Sequence, residues 1–100
     1  AESLCLSSMY EASVGPFSAL YIDGDLRVVS TGNNPAAQAR IKTGSVIHAG
    51  TVSLIGFRAI VDPWVFLYTP GTFFMQADDP SRCMVRGCYS AGFVEGNCLE

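Results

Sequence analysis

Four cysteines, Cys5, Cys83, Cys88 and Cys98, are the residues of this 100-residue chain whose type and spacing most directly suggest chemistry. Structural zinc sites use four Cys or His ligands in close pairs, but four residues separate Cys83 from Cys88 and nine separate Cys88 from Cys98. The sequence has no C-x-x-C redox motif. An even cysteine count in a short chain with few charges favours disulfide bonds. Four reduced, buried thiols are the alternative.

The four cysteines allow three connectivities, and we favour Cys83–Cys88 together with Cys5–Cys98. The segment between Cys83 and Cys88 contains Gly87, which permits a tight reversal because glycine adopts positive φ at little cost. The second bond joins the two ends of the chain. It closes a long loop and therefore gives a large stabilisation in the chain-entropy description of disulfides.

Residue types that commonly perform catalysis are few and scattered. His48 is the only histidine, and no sequence feature places a nucleophile beside it, as a catalytic dyad requires. The acidic pairs Asp23/Asp25 and Asp78/Asp79 fit turn chemistry better than a calcium loop, which needs six or more oxygen ligands. We therefore predict no catalytic residue, no metal site and no cofactor.

Aromatic residues and arginine offer binding rather than catalysis. Trp, Tyr and Arg carry a large share of the binding energy at protein interfaces. The candidate binding residues are Trp64, Tyr68, Arg58, Tyr10 and Tyr21. Core packing is the alternative for the aromatic side chains, because a small domain needs its large apolar groups inside.

The charge content excludes two classes of partner. Only 15% of the residues are charged and the net charge is −3, whereas nucleic acids and anionic membrane surfaces require a basic face. No apolar stretch reaches the roughly 18 residues of a membrane-spanning helix. The high apolar fraction, 49%, instead suggests a face that is buried against a partner or against a second copy in a homo-oligomer.

The same composition predicts a compartment. Low charge, a single lysine and an even number of cysteines are typical of a secreted or periplasmic protein. The first residues, Ala-Glu-Ser, fit a mature terminus left by signal-peptide cleavage and fit an ordinary start equally well.

The first half of the chain reads as a strand, a hairpin and a short helix. Alternation predicts a strand that begins near residue 3, and residues 17–30 predict a hairpin around Asp23-Gly24, a pair suited to a type I′ turn. Asn34 fits an N-cap and Pro35 the first helical position, so we expect a helix near 35–43.

The second half predicts strands only. Residues 45–61 are rich in β-branched and aromatic types, and residues 65–77 predict a second hairpin around the type II pair Pro70-Gly71. We find neither an internal repeat nor the alternation of a βαβ unit. We therefore expect a single disulfide-stabilised domain over residues 1–100, mainly β with one helix (small α+β), built as an antiparallel barrel or sandwich.

This order of elements, with a helix between the third and fourth strands and a late, closely spaced cysteine pair, resembles the five-stranded barrel of oligonucleotide- and oligosaccharide-binding (OB) domains. It also resembles the secreted binding subunits of bacterial toxins, which share that barrel, carry disulfides and form rings. The resemblance implies an OB-like barrel.

We expect a secreted or periplasmic binding module that recognises a protein or glycan receptor through an apolar, aromatic surface. Toxin binding subunits, adhesins, inhibitor or immunity proteins and effectors are of this type. The alternative is a structural assembly subunit, such as a component of a virus or phage particle, and a small hydrolase is the third interpretation.

Overall fold

A computed structural model describes residues 3–99, which form nine strands and one short 3-10 helix. The strands, in chain order, are β1 Leu4–Ser8, β2 Ala12–Val14, β3 Ala19–Ser30, β4 Gln38–Ile41, β5 Val46–Ile55, β6 Arg58–Val61, β7 Phe66–Gln76, β8 Cys83–Val85 and β9 Cys88–Glu95. The 3-10 helix, Pro80–Arg82, precedes β8. Its Asp79 cap accepts a hydrogen bond from the Ser81 amide.

The odd-numbered and even-numbered strands form two separate sheets. Sheet A has the order β1-β3-β5-β7-β9 and sheet B has the order β2-β4-β6-β8, and all strand pairs in both sheets are parallel. The chain therefore passes from one sheet to the other and back, and each return lies beside the previous coil. This is the path of a β-solenoid, in which residues roughly 20 positions apart become neighbours.

The core lies between the two sheets and is built from columns of inward-facing side chains. In sheet A, Leu26 pairs with Val52, Val52 with Phe73 and Phe73 with Val94. The shorter strands of sheet B contribute small or β-branched residues, and their inward columns are Ala12/Ala39/Ala59/Cys83 and Val14/Ile41/Val61/Val85. Leu26, Val52 and Phe73 are fully buried. Side-chain alternation along each strand thus fills the interior.

Glycines mark the bend within the long strands of sheet A. The pairing of β5 with β7 shifts between His48 and Val52, and that of β7 with β9 between Thr69 and Thr72. A Cβ on Gly71 would lie 2.5 Å from the carbonyl oxygen of Gly50, and a Cβ on Gly92 would lie 2.2 Å from that of Pro70. At these bends, the backbone of one coil therefore lies where a Cβ of the next coil would be, so only glycine fits without a shift.

The expected antiparallel barrel or sandwich, including its OB-like form, is wrong because every pair of strands is parallel. Asp23-Gly24 and Pro70-Gly71 do not reverse the chain but lie inside single strands, β3 and β7, at the bends. Alternation and turn residues indicate a strand and its breaks but do not give the direction of its partner. The expectation of no internal repeat is also wrong. Strands β3, β5, β7 and β9 pair in register and occupy the same place in successive coils of the solenoid.

The expected helix near 35–43 is also wrong. Asn34 makes a turn, in which its side-chain oxygen accepts from the Ala36 amide, but strand β4 follows in place of a helix. Ala39 and Ile41 both face inward and are fully buried. Pairing with β2 and β6 therefore overrides the helical propensity of the alanines.

One disulfide, Cys83–Cys98, replaces both predicted pairs. The chain does not reverse between Cys83 and Cys88, because that segment carries it from sheet B to sheet A. Cys5 lies on β1 and Cys98 follows β9, and these strands are opposite edges of sheet A, about 19 Å apart at the usual strand spacing. Cys5 and Cys88 are exposed thiols. The bond is compatible with an extracytoplasmic location.

Residues 97–99 close the last coil. The Asn97 side chain accepts a hydrogen bond from the Ala77 amide and donates one to the Ala77 carbonyl, and the Cys98 amide donates to the Met75 carbonyl. Leu99 packs against the core. In the described part of the chain, no helix is long and apolar enough to cross a membrane.

Candidate recognition surface

The first half of sheet A, before the bend, presents two adjacent outward columns. Tyr21 pairs with His48 and His48 with Tyr68, while Val46 pairs with Phe66 two residues earlier on the same strands. We call these five residues the aromatic face. They point outward because the residues between them, Leu20, Ile47 and Leu67, are the inward positions of the same strands.

The rings of the aromatic face stack along the solenoid. The centroids of Tyr21 and His48 are 4.6 Å apart with an interplanar angle of 6°, and those of His48 and Tyr68 are 4.7 Å apart with an angle of 45°. The Tyr21 ring therefore covers one side of the imidazole. Such contacts are worth about 0.5–1.5 kcal/mol per pair beyond burial. The other face of the Tyr21 ring is open to solvent, because Tyr21 is 80% exposed.

A shallow depression of about 280 Å³ follows these columns to the last coil. The T-shaped contact of Tyr89 with buried Phe73, 5.3 Å between centroids, holds the ring of Tyr89 at the end of the depression. The lining residues are Tyr21, Val46, Ile47, His48, Phe66, Leu67, Tyr68, Cys88, Tyr89 and Ser90. None of these residues is Asp, Glu, Lys or Arg, so the depression is mainly apolar and contains a few hydroxyl groups.

The corner that leads into these strands carries two further exposed aromatic residues. Phe17 is 80% exposed and Trp64 is 76% exposed, and both have positive φ, 56° and 65°. Gly44 adopts φ 77°, and a Cβ there would lie 2.4 Å from the Phe17 ring. The corner thus requires a left-handed backbone, which costs a bulky residue about 1–2 kcal/mol. Folding would favour glycine at positions 17 and 64.

The structure brings together two of the five residues predicted to bind, Tyr21 and Tyr68, which both line the depression. Trp64 lies outside the depression, at the corner that precedes β7. Arg58 lies on sheet B, and Tyr10 is exposed in the turn after β1, where its carbonyl accepts from the Ser30 hydroxyl.

Sequence reasoning missed Phe17, Val46, His48 and Phe66 as members of this surface. The signal that could have found them is the match between residues 39–55 and 59–76, which aligns Val46 with Phe66 and His48 with Tyr68. Without that alignment, nothing in the sequence indicates that these side chains share one column.

The carboxyl groups whose pKa is perturbed lie outside this surface. A hydrogen bond from the Gln38 amide, aided by Lys42 at 3.1 Å, lowers the pKa of Glu11. The backbone amide of Ser81 lowers the pKa of Asp79. Within residues 3–99, no group of three or more His, Cys, Asp or Glu side chains is arranged to hold a metal ion.

The arrangement offers aromatic rings, the hydroxyls of Tyr21, Tyr68 and Tyr89, one imidazole and aliphatic surface, which are groups able to make apolar contacts and hydrogen bonds. Comparison with known proteins adds no assignment: the chain matches no protein-family model, no curated protein and no solved structure.

Proposed function

We propose that this protein is a recognition module that binds a protein partner through the aromatic face and the adjoining corner residues Phe17 and Trp64. The observation that carries the proposal is the pair of large aromatic residues at positive φ. Both are exposed and contribute little to the core, and both occupy positions that would favour glycine. Residues retained against the preference of the fold are expected where a surface has a function.

The lining of the depression favours a protein partner over a glycan. Sugars are held by polar side chains that hydrogen-bond their many hydroxyls, whereas no Asp, Glu, Asn, Gln, Lys or Arg lines the depression. An uncharged apolar depression with a few hydroxyls instead suits a complementary apolar patch that offers hydrogen-bond acceptors to the tyrosines.

We place this activity in a secreted or periplasmic setting. The Cys83–Cys98 bond and the low charge content support this placement, because disulfides persist in oxidising compartments.

The direct test introduces a photo-crosslinking amino acid at position 66 and, as a matched control, at position 27, which is exposed on the other half of sheet A. We expect position 66 to capture one defined protein in cells that express the chain, and position 27 to capture none. The double variant Val46→Thr/Phe66→Ser should lose that capture while keeping the thermal unfolding midpoint. Equal capture at both positions, or glycan-array binding that requires Trp64, would contradict the proposal.

A structural assembly subunit is the second candidate, and the open edges of sheet A favour it. Strands β1 and β9 have neighbours on one side only, and unpaired edges of this kind can pair with another chain. Light scattering over a concentration series separates the two functions. A molar mass that rises with concentration, and that stays unchanged in the Val46→Thr/Phe66→Ser variant, supports assembly through the open edges. A constant monomer mass contradicts it.

A further inference from the structure

The outward face of sheet B differs from the aromatic face because it collects the cations of an acidic protein. Four of the five arginines and the only lysine belong to this sheet or to its ends: Arg40, Lys42, Arg58, Arg82 and Arg86. The remaining arginine, Arg27, lies on sheet A. A net charge of −3 for the whole chain therefore conceals a locally basic surface.

Three of these cations already have acidic partners. Arg40 donates from Nε and Nη2 to the Asp62 carboxylate, with a closest distance of 3.0 Å. Lys42 lies 3.1 Å from Glu11, and Arg82 lies 3.5 Å from Asp78 and stacks on the Phe57 ring. Within the described residues, no carboxylate lies within ion-pair distance of the other two guanidinium groups, those of Arg58 and Arg86.

Arg58 and Arg86 flank an apolar floor. Ile60 points away from the core and is nevertheless only 8% exposed, and Met84 on the adjacent strand is its outward neighbour. A groove of about 220 Å³ lies over these residues and is lined by both Arg58 and Arg86. Gln38, Arg40 and Asp62 complete the lining, and the Asp62 carboxylate is already bound by Arg40. We call Arg58, Ile60, Met84 and Arg86 the basic groove.

The register gives the separation of the two free cations. Ala59 pairs with Cys83, so Arg58 is level with Arg82, and Arg86 lies four residues further along the strand direction. At the rise of a β-strand, four residues span about 13 Å. An extended peptide has the same rise. Two acidic side chains four residues apart are therefore matched to Arg58 and Arg86, and the side chain midway between them faces Ile60 and Met84.

We propose that the basic groove binds an extended acidic peptide segment of the form Glu-x-apolar-x-Glu. The two carboxylates pair with Arg58 and Arg86, and the central apolar side chain covers Ile60 and Met84. This site lies on a different sheet from the aromatic face, so its test does not depend on the proposed function.

The experiment titrates the isotopically labelled full chain with the peptide acetyl-Glu-Ala-Val-Ala-Glu-amide and follows backbone amide shifts by NMR. We expect saturable shifts confined to β6, β8 and Arg86, which directly follows β8. The variants Arg58→Gln and Arg86→Gln should each weaken binding about fivefold, the upper range for an exposed ion pair. Arg27→Gln on sheet A is the matched control and should bind like the wild type.

A second peptide tests the charge requirement. Acetyl-Gln-Ala-Val-Ala-Gln-amide keeps the length and the apolar centre but has no carboxylate, and it should produce no saturable shift. The proposal is overturned if the Glu peptide causes no shift, if the Gln peptide binds equally well, or if Arg27→Gln weakens binding as much as Arg58→Gln. Loss of binding in Val46→Thr/Phe66→Ser would also overturn it, because that variant leaves the groove intact.

Discussion

The aromatic face of sheet A and the outward face of sheet B are built on the same coils. They differ in how they present apolar and charged side chains to solvent. The aromatic face has no Asp, Glu, Lys or Arg, and its rings stack on one another along the solenoid. On sheet B, the outward Ile60 is covered, and three of the five cations are paired with carboxylates, as in the bidentate pair of Arg40 with Asp62. The comparison indicates that the ion-paired part of sheet B contributes to stability, whereas the aromatic face and the two unpaired arginines remain open to the proposed partners.

The largest expected effect comes from the bond that joins the two sheets at the last coil. Replacing Cys83 and Cys98 together by Ala should lower the free energy of unfolding by about 3 kcal/mol, the value for a closed loop of 15 residues. Urea unfolding measures this loss. Cys5→Ser and Cys88→Ser are the controls, since both thiols are exposed. A comparable loss in either control would contradict the assigned pairing.

The next effect tests the bend that positions the aromatic face. Gly71→Ala should cost about 2–3 kcal/mol, because the added methyl group meets the backbone carbonyl of Gly50 and forces a backbone shift. Gly15→Ala is the matched control, since its new Cβ would lie 3.7 Å from the nearest atom, the Ser18 hydroxyl. Thermal and urea unfolding of both variants compare the two sites, and equal costs would show that the stacked bends are not tightly packed.

A third substitution compares the two faces directly. Asp62→Ala should cost about 2 kcal/mol, because it removes the acceptor of Arg40 and of the Thr43 amide, and the Asp62 side chain is only 10% exposed. Phe66→Ser on the aromatic face should change stability by less than about 0.5 kcal/mol. If Phe66→Ser costs more than Asp62→Ala in urea unfolding, the conclusion that the ion pairs of sheet B stabilise the fold more than the aromatic face does is wrong.

The smallest effect is a pH dependence on the sheet B side. The pKa of Glu11 is lowered in the folded state, first by the Gln38 hydrogen bond and then by Lys42. Its stabilising contribution is therefore present above the usual carboxyl value of 4.5 and is lost as the pH falls through the lower folded value. Because Glu11 is well exposed to solvent, we expect less than about 1 kcal/mol.

The measurement is the free energy of unfolding of the wild type and of Glu11→Gln between neutral pH and about pH 3. The wild type should lose more stability than the variant over this range. Identical pH profiles would show that the contacts of Glu11 with Gln38 and Lys42 do not persist in solution.

Strand content could be predicted from the sequence, but strand partners could not. Alternation located most of the β regions, but the hairpins predicted around Asp23-Gly24 and Pro70-Gly71 are wrong, because each pair lies inside a single strand. Glycine occurs both at bends within a strand and at chain reversals, so the glycines do not distinguish parallel from antiparallel strands. The helix predicted after Asn34 is wrong for a different reason. The residues favour a helix locally, but Ala39 and Ile41 pair with both neighbouring strands.

The candidate site was predictable in its residue types but not in its grouping. Residue type alone makes Tyr21, Tyr68 and Trp64 candidates for binding, whereas Val46 and Phe66 carry no such signal alone. Their exposure follows from the column they share, and that column exists only once the coils are in register. Recognising the recurrent Gly50, Gly71 and Gly92 spacing would have supplied the register.

The stacked coils also give the surface a regular spacing. Each coil advances by one strand spacing, about 4.8 Å, so Tyr21, His48 and Tyr68 lie at three evenly spaced positions along one line. Swapping side chains between coils moves a chemical group by one strand spacing without altering the backbone path. A series of such swaps would report the orientation and reach of any bound molecule, with a step finer than one turn of an α-helix.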